Sequence, residues 1–231
     1  MNGLTFTHFP DETIIFFREL ENNNNKEWFQ AHKQDYKDYV QLPAIDFIKS
    51  MGERLKAIST DIIYDTRTNG AGSLMRIYRD IRFSADKTPY KTNLGIIFWE
   101  GAGKKMENPG FYFHFDNQGV GFYAGFYMFP KDKLKTFRDA VDKNGAELQE
   151  VISELHEKGY LIGGDKYKRV PQGFDADHPH AELLKFKGLH SSTEMLDAEL
   201  IIDPEFIDIC FEHWANQSPL HNWLVDAFKS T

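Results

Sequence analysis

Phe111-Tyr112-Phe113-His114-Phe115-Asp116, followed after Asn117-Gln118-Gly119 by Val120-Gly121-Phe122-Tyr123-Ala124-Gly125-Phe126, is the stretch that decides the fold. Phenylalanine takes every second place of the first run, and Tyr112, His114 and Asp116 take the others. Successive side chains of a strand point to opposite faces, so this run predicts a strand with one face in the core. The Asn-Gln-Gly break, with aromatic and branched residues on both sides, has the pattern of an antiparallel hairpin.

Working outward, Leu74 to Asp80 and Thr92 to Trp99 carry the same strand pattern, and the strand after the break is expected to reach Phe129. Before these strands the period changes to that of helices. Pro10 suits a first helical position and Asp11 and Glu12 a first turn, with Ile14, Phe17 and Leu20 along one stripe. Asn22 to Asn25 reads as a turn or capping segment. Phe29, His32, Tyr36 and Tyr39 form a second stripe, and Ile45, Ile48, Met51, Leu55 and Ile58 a third that begins at Pro43. After the hairpins, helices are predicted at Pro130 to Lys143 and Ala146 to Lys158, with Asn144-Gly145 between them. A short strand at Tyr167 to Val170, a helix at Ala181 to Phe186 and a strand at Glu194 to Ile202 follow. Two helices, Pro204 to Gln217 and Pro219 to Lys229, close the chain. Strands that cluster instead of alternating with helices predict an α+β fold: an antiparallel sheet of hairpins packed by N-terminal and C-terminal helices. Residues 1–231 are read as a single domain.

The 231 residues are 41% hydrophobic and 15% aromatic, enough for a substantial core and too apolar for a disordered chain. One cysteine, Cys210, cannot form a disulfide within the chain and lies at helical spacing with Phe206, Phe211 and Trp214, as a core thiol would. The N-terminus MNGLTFTHFPDE lacks the basic start and apolar run of a secretory signal, so a cytoplasmic protein that does not enter a membrane is expected. A net charge of −8 presents a repulsive average field to nucleic acid, which is not an expected partner.

Against that field one segment is basic. From Arg76 to Lys91 the chain holds Arg76, Arg79, Arg82, Lys87 and Lys91 but only Asp80 and Asp86, leaving −11 for the remainder. Read as a strand, Arg76, Tyr78, Asp80 and Arg82 share a face opposite Met75, Ile77, Arg79 and Ile81. Two cations about 6 Å apart repel by roughly 3 kcal/mol at an effective dielectric of about 20. A converging set therefore needs a carboxylate or a bound anion among its members. This makes Arg76, Tyr78, Arg82, Lys87, Tyr90 and Lys91 candidate ligand-binding residues for a small phosphorylated or carboxylated molecule, with Arg79, Asp80 and Asp86 in support. Arg79, on the apolar face, calls for a buried carboxylate partner. The competing reading is an ion-pair network around a turn, or a module that recognises an acidic protein partner. No catalytic residue, metal or cofactor is assigned.

The run Arg76-Ile-Tyr-Arg79-Asp80-Ile-Arg82-Phe83-Ser84-Ala-Asp86-Lys87-Thr-Pro89-Tyr90-Lys91 resembles the hallmark of the domain-of-unknown-function 2461 family. Asn24 to Phe29, the aromatic glycine-rich stretch Gly119 to Pro130 and Lys168 to Phe174 are similar to that family too, so the resemblance spans nearly the whole chain. It implies one domain and no established activity.

Weaker motifs have plainer readings. His178-Pro179-His180, with Asp175 and Asp177, offers metal-ligand types but no second cluster to complete a site. Gly101-Ala-Gly103-Lys-Lys105 lacks the spacing of a phosphate loop and suits a hairpin loop. Phe122-Tyr123 and Phe126-Tyr127 fit alternate packing in a strand.

Overall fold

A computed structural model describes residues 6–229; the first five residues of the N-terminal reading lie outside it. Helix α1 (Asp11–Asn22) starts after Pro10 and buries Ile14, Phe16, Phe17 and Leu20. Asn25 caps α2 (Lys26–Ala31) by accepting the Trp28 N–H. The expected second stripe is not one helix. It breaks at His32, resumes as α3 (Lys33–Asp35) and widens into a π-helical turn (Tyr36–Gln41) that leads into α4 (Leu42–Leu55). The buried Thr13 hydroxyl donates to the Tyr39 carbonyl at 2.5 Å, satisfying a group inside the widened turn.

The sheet is antiparallel with spatial order β1 (Asn93–Trp99), β2 (Gly110–Asp116), β3 (Gly119–Phe126), β5 (Leu189–Ser192), β4 (Leu161–Gly163). Phe111, Phe113 and Phe115 are fully buried and meet Phe98, Ile96 and Leu94 on one side and Ala124, Phe122 and Val120 on the other. This inner face packs against Phe9, Phe17 and Phe47 from the N-terminal helical region and Phe206 and Trp214 from α7 (Phe206–Lys229). A second cluster gathers Phe126, Phe129, Leu189, Leu220 and Trp223 around α5 (Lys131–Glu157) and α6 (Ala181–Leu184).

Several boundaries differ from those read in the sequence. Leu74 to Asp80 is not a sheet strand: among the described residues it pairs only by isolated bridges, Leu74–Ile96 and Tyr78–Tyr90, because beyond Met75 the chain turns off the β1 edge into its own loop. Asn144 is non-helical, yet α5 continues across it; a Cβ at Gly145 would press on the His180 ring, so the glycine marks a kink against a neighbour and not an end. Tyr167 to Val170 and Glu194 to Ile202 form no sheet strands. The partners of β3 and β5 are instead the shorter Leu189–Ser192 and Leu161–Gly163, and Ala198–Ile202 is a 3-10 turn. The two predicted C-terminal helices are the single α7, with Pro219 inside it.

Candidate functional site

The basic run folds back on itself. The Arg79 N–H donates to Pro89 O and the Lys91 N–H to Ile77 O, closing a stem from which residues 80–88 project. Arg79 reaches across this loop to the Asp86 carboxylate and Thr88 hydroxyl, while Asp86 also accepts the Thr88 N–H at 2.9 Å. Asp80 takes Arg82 as a fork, Nε at 2.9 Å and Nη2 at 2.7 Å, and Lys87 donates to Ile81 O at 3.0 Å. These bonds hold both carboxylates near pH 2: Asp80 chiefly through Arg82, Asp86 chiefly through the Thr88 N–H and then Arg79. The expected buried partner of Arg79 is corrected here, since the Asp86 side chain is 57% exposed. The tip leaves Arg82 exposed beside Phe83, which is 96% exposed.

The stem behaves differently. Asn24 acts as a surrogate strand, donating to Tyr90 O at 2.9 Å and accepting the Tyr90 N–H at 3.1 Å. Phe29 stacks on the buried Tyr90 ring at 4.1 Å, so two segments of the family-like pattern, far apart in sequence, meet here. Among the described residues Arg76 and Lys91 make no side-chain hydrogen bond or ion pair. Half-buried Lys91 is pushed below the usual lysine range, first by burial and then by Arg76.

Arg76 and Tyr78 open onto a cleft of about 570 Å³ between this stem and the helical turns of residues 29–41. Facing them are Lys33, Lys37, Gln30, Gln34 and Tyr36, with Thr68 nearby. No carboxylate is among the described residues that line the cleft, and neither Lys33 nor Lys37 forms an ion pair within them. Burial, with Tyr78 adding to it, pushes Tyr36 up to about 12, so its hydroxyl stays protonated. Of the residues singled out in the sequence, the cleft collects Arg76 and Tyr78; Lys91 lies beside them, Tyr90 forms the support beneath, and Arg82 and Lys87 stand in the outer loop with partners of their own. Lys33 and Lys37 were missed because they flank an aromatic stripe read as packing. Their four-residue spacing was the available signal, since it places both ammonium groups on one side of a helix.

Elsewhere, polar groups serve the fold. Buried Glu100 accepts from Ser59, from His221 Nε2 (3.4 Å) and from Lys229 (2.8 Å), tying the β1 end to α7. Those donors, His221 first, hold Glu100 near pH 2, and burial lowers His221, which is neutral and donates through Nε2. His178 pairs with Asp142 on α5, and no group of described residues could hold a metal ion. Lys105, in the expected β1–β2 hairpin loop, donates to the Gly70 and Gly72 carbonyls. The Cys210 thiol is buried and raised well above its ordinary value by desolvation. No helix of the described residues is long and apolar enough to cross a membrane.

Fold and cleft together define an α+β protein whose antiparallel sheet is backed by helices on one face and carries a cation-lined recess at its β1 edge. The chain belongs to the family described as conserved hypothetical protein (DUF2461), whose model matches residues 12–223. Among curated proteins, none matches it.

Proposed function

We propose that this protein binds a small phosphorylated or carboxylated molecule in the cleft, with Arg76, Lys33 and Lys37 holding the anion. The observation that carries the reading is a lining with three cations and no carboxylate in a chain of net charge −8. Such a set is electrostatically incomplete until an anion enters. Arg76 offers a planar fork for two oxygens, the lysines add point charge, and Gln30 and Tyr78 supply hydrogen-bonding groups for the rest of the ligand, the Gln34 amide being held by Asp38. Lys91 adds positive potential from behind Arg76. In this reading the Arg79–Asp86 and Arg82–Asp80 pairs, with Lys87, shape the loop, and Tyr90 anchors it. The π-helical turn, a feature often found at functional sites, brings Lys37 to the recess. The continuity of β3 and α7 through both core clusters supports one domain. The buried thiol of Cys210 suits the cytoplasm. A reaction is not assigned.

Thermal unfolding with phosphate, sulfate and polycarboxylates tests this. A ligand at a hundred times its Kd adds about 2.7 kcal/mol by mass action. The wild-type midpoint should rise, Arg76→Ala and Lys33→Ala should abolish the rise, and Arg82→Ala should retain it. Absence of any anion effect, or an equal loss in Arg82→Ala, would refute the assignment. The exposed Phe83 next to Arg82 favours a second reading, in which the loop tip recognises an acidic protein surface. That reading gains if Phe83→Ser abolishes a protein contact while leaving the anion effect intact.

A further inference from the structure

The outer face of the sheet, opposite the phenylalanine core, carries Ile97, Tyr112, Tyr123 and Ser192 in one cross-strand row and Trp99, Gly110, Gly125 and His190 in the next. At Gly110 a Cβ would strike the backbone of β1, and at Gly125, with φ +133°, that of β5, so glycine is required at both places. Two adjacent strands thus present bare peptide side by side. Over that floor lies a cavity of about 360 Å³, walled by Ile97, Tyr112, Tyr123, Tyr127, His190 and Met106.

The walls are fixed in place. Tyr112 Oη bonds His114 Nδ1 at 3.2 Å, and His114 Nε2 bonds Asp116 Oδ2 at 3.1 Å. The carboxylate accepts from Nε2–H, leaving Nδ1 to accept the tyrosine proton, so the chain sets both the tautomer and the ring position. The cross-strand neighbours of His114 are Gly95 and Gly121, and the tyrosine rings extend over them: a Cβ at Gly95 would come within 2.6 Å of Tyr112 Oη, and one at Gly121 within 2.9 Å of Tyr123 Cε2. The tyrosines therefore lean away from the Gly110–Gly125 floor and leave it open.

Among the described residues neither ring nitrogen of His190, which lines the cavity, forms a hydrogen bond; Trp99 Nε1 in the same row is also unpaired, but Trp99 does not line the cavity. Burial lowers the pKa of His190 and keeps its ring neutral. Buried polar atoms are normally bonded, and an unpaired one signals a missing partner. The lining is otherwise apolar apart from Asn108 and Lys105, whose ammonium is already bound to two carbonyls.

We propose that this cavity is a second site, distinct from the anion cleft with which it shares the Met75 wall, which binds a flat uncharged nitrogen heterocycle of purine size. A ring can lie directly on the peptide planes only where side chains are missing, tyrosine and histidine rings supply stacking walls, and a heterocycle edge offers a donor or acceptor to the unpaired imidazole of His190. An aliphatic ligand would use the walls and waste the nitrogens, and a charged one would be desolvated without a counterion.

Adenine serves as the probe, titrated into the full chain by calorimetry. Saturable one-site binding is expected. Met106→Trp, a substitution at a half-exposed rim position, should weaken it at least tenfold by filling the mouth. Tyr127→Ala, at a wall residue 71% exposed, should weaken it several-fold without disturbing the core. His190→Phe keeps the ring and removes both nitrogens, and should cost about tenfold, the equivalent of one hydrogen bond near 1.4 kcal/mol. Arg76→Ala should leave adenine affinity unchanged, while each cavity variant should keep the phosphate-induced stabilisation, which separates failure of this site from failure of the anion cleft. The absence of saturable binding, or unchanged affinity in Met106→Trp and Tyr127→Ala, would overturn the site; unchanged affinity in His190→Phe alone would overturn the assignment to a nitrogen heterocycle.

Discussion

Glu100 and the Arg76–Lys91 run are two charged regions built from similar residues and put to opposite ends. At Glu100 one carboxylate collects a hydroxyl, an imidazole and an ammonium, and the whole set except Lys229 is buried. In the basic run the chain supplies two carboxylates for five cations, spends both on Arg79 and Arg82, and leaves Arg76 and Lys91 without a partner at the edge of a recess. A charge cluster that completes itself is a fastener. One that stays incomplete at an accessible surface is what the proposed anion site requires.

The contrast is sharpest in stability. Glu100→Gln removes the charge and puts an NH2 donor where one carboxylate oxygen stood, so that either the Ser59 and His221 donors or Lys229 meets a donor, and should destabilise by about 2–4 kcal/mol in denaturant unfolding. A loss as small as that of a surface substitution would show that the hub is not a fastener.

Acid should act through the hub next. Burial lowers His221, His190 and His213, so the unfolded chain takes up those protons first as pH falls below about 6.5, and stability declines from there. Glu100, lowered from 4.5 to about 2, contributes stability that is complete above pH 4.5 and lost as pH falls towards 2. Midpoints measured from pH 7 to pH 3 should fall in both windows, and His221→Gln should flatten the upper one.

Between the two regions stands Asn24, whose side chain ties both backbone groups of Tyr90. Asn24→Ala should cost about 1–2 kcal/mol by the loss of two hydrogen bonds and loosen the stem, a change that amide exchange at Tyr90 would register.

The basic run should give the smallest stability effects. Arg79→Ala and Arg82→Ala break pairs open to solvent and should lower the unfolding midpoint only slightly, Arg79 the more because it also holds Thr88. Arg76→Ala should leave the midpoint unchanged or raise it by relieving repulsion with Lys91. Should Arg76→Ala destabilise as much as Glu100→Gln, the distinction between fastener and site collapses. Anisotropy titrations at physiological salt should show no tight binding of nucleic acid, because the cationic recess is short and the rest of the chain carries −11.

Much of this was legible in the chain. The Phe111-Phe113-Phe115 alternation specified a strand, its buried face and its hairpin partner, because period-two patterning is a local property that burial only amplifies. Pro10 and Asn25 marked helix starts for equally local reasons. Leu74 to Asp80 misled because its alternation of buried and exposed residues is real while its hydrogen bonds go elsewhere, and pairing is not a property of one segment. Pro219 and Asn144 misled because helix breakers act on isolated helices, whereas α5 and α7 are held by the core they share.

The candidate site divides in the same way. Sequence alone set out the local charge excess, the residue types able to grip an anion and the shortage of carboxylates among them. Tertiary structure decided which cations are free: Asp80 and Asp86 lie nearest in sequence to Arg82 and Thr88 and so saturate the loop, while Lys33 and Lys37 come from a helical turn some forty residues earlier to complete the recess. Coulombic partnership depends on separation in space, and only the packing of Asn24 and Phe29 against Tyr90 brings those two stretches together.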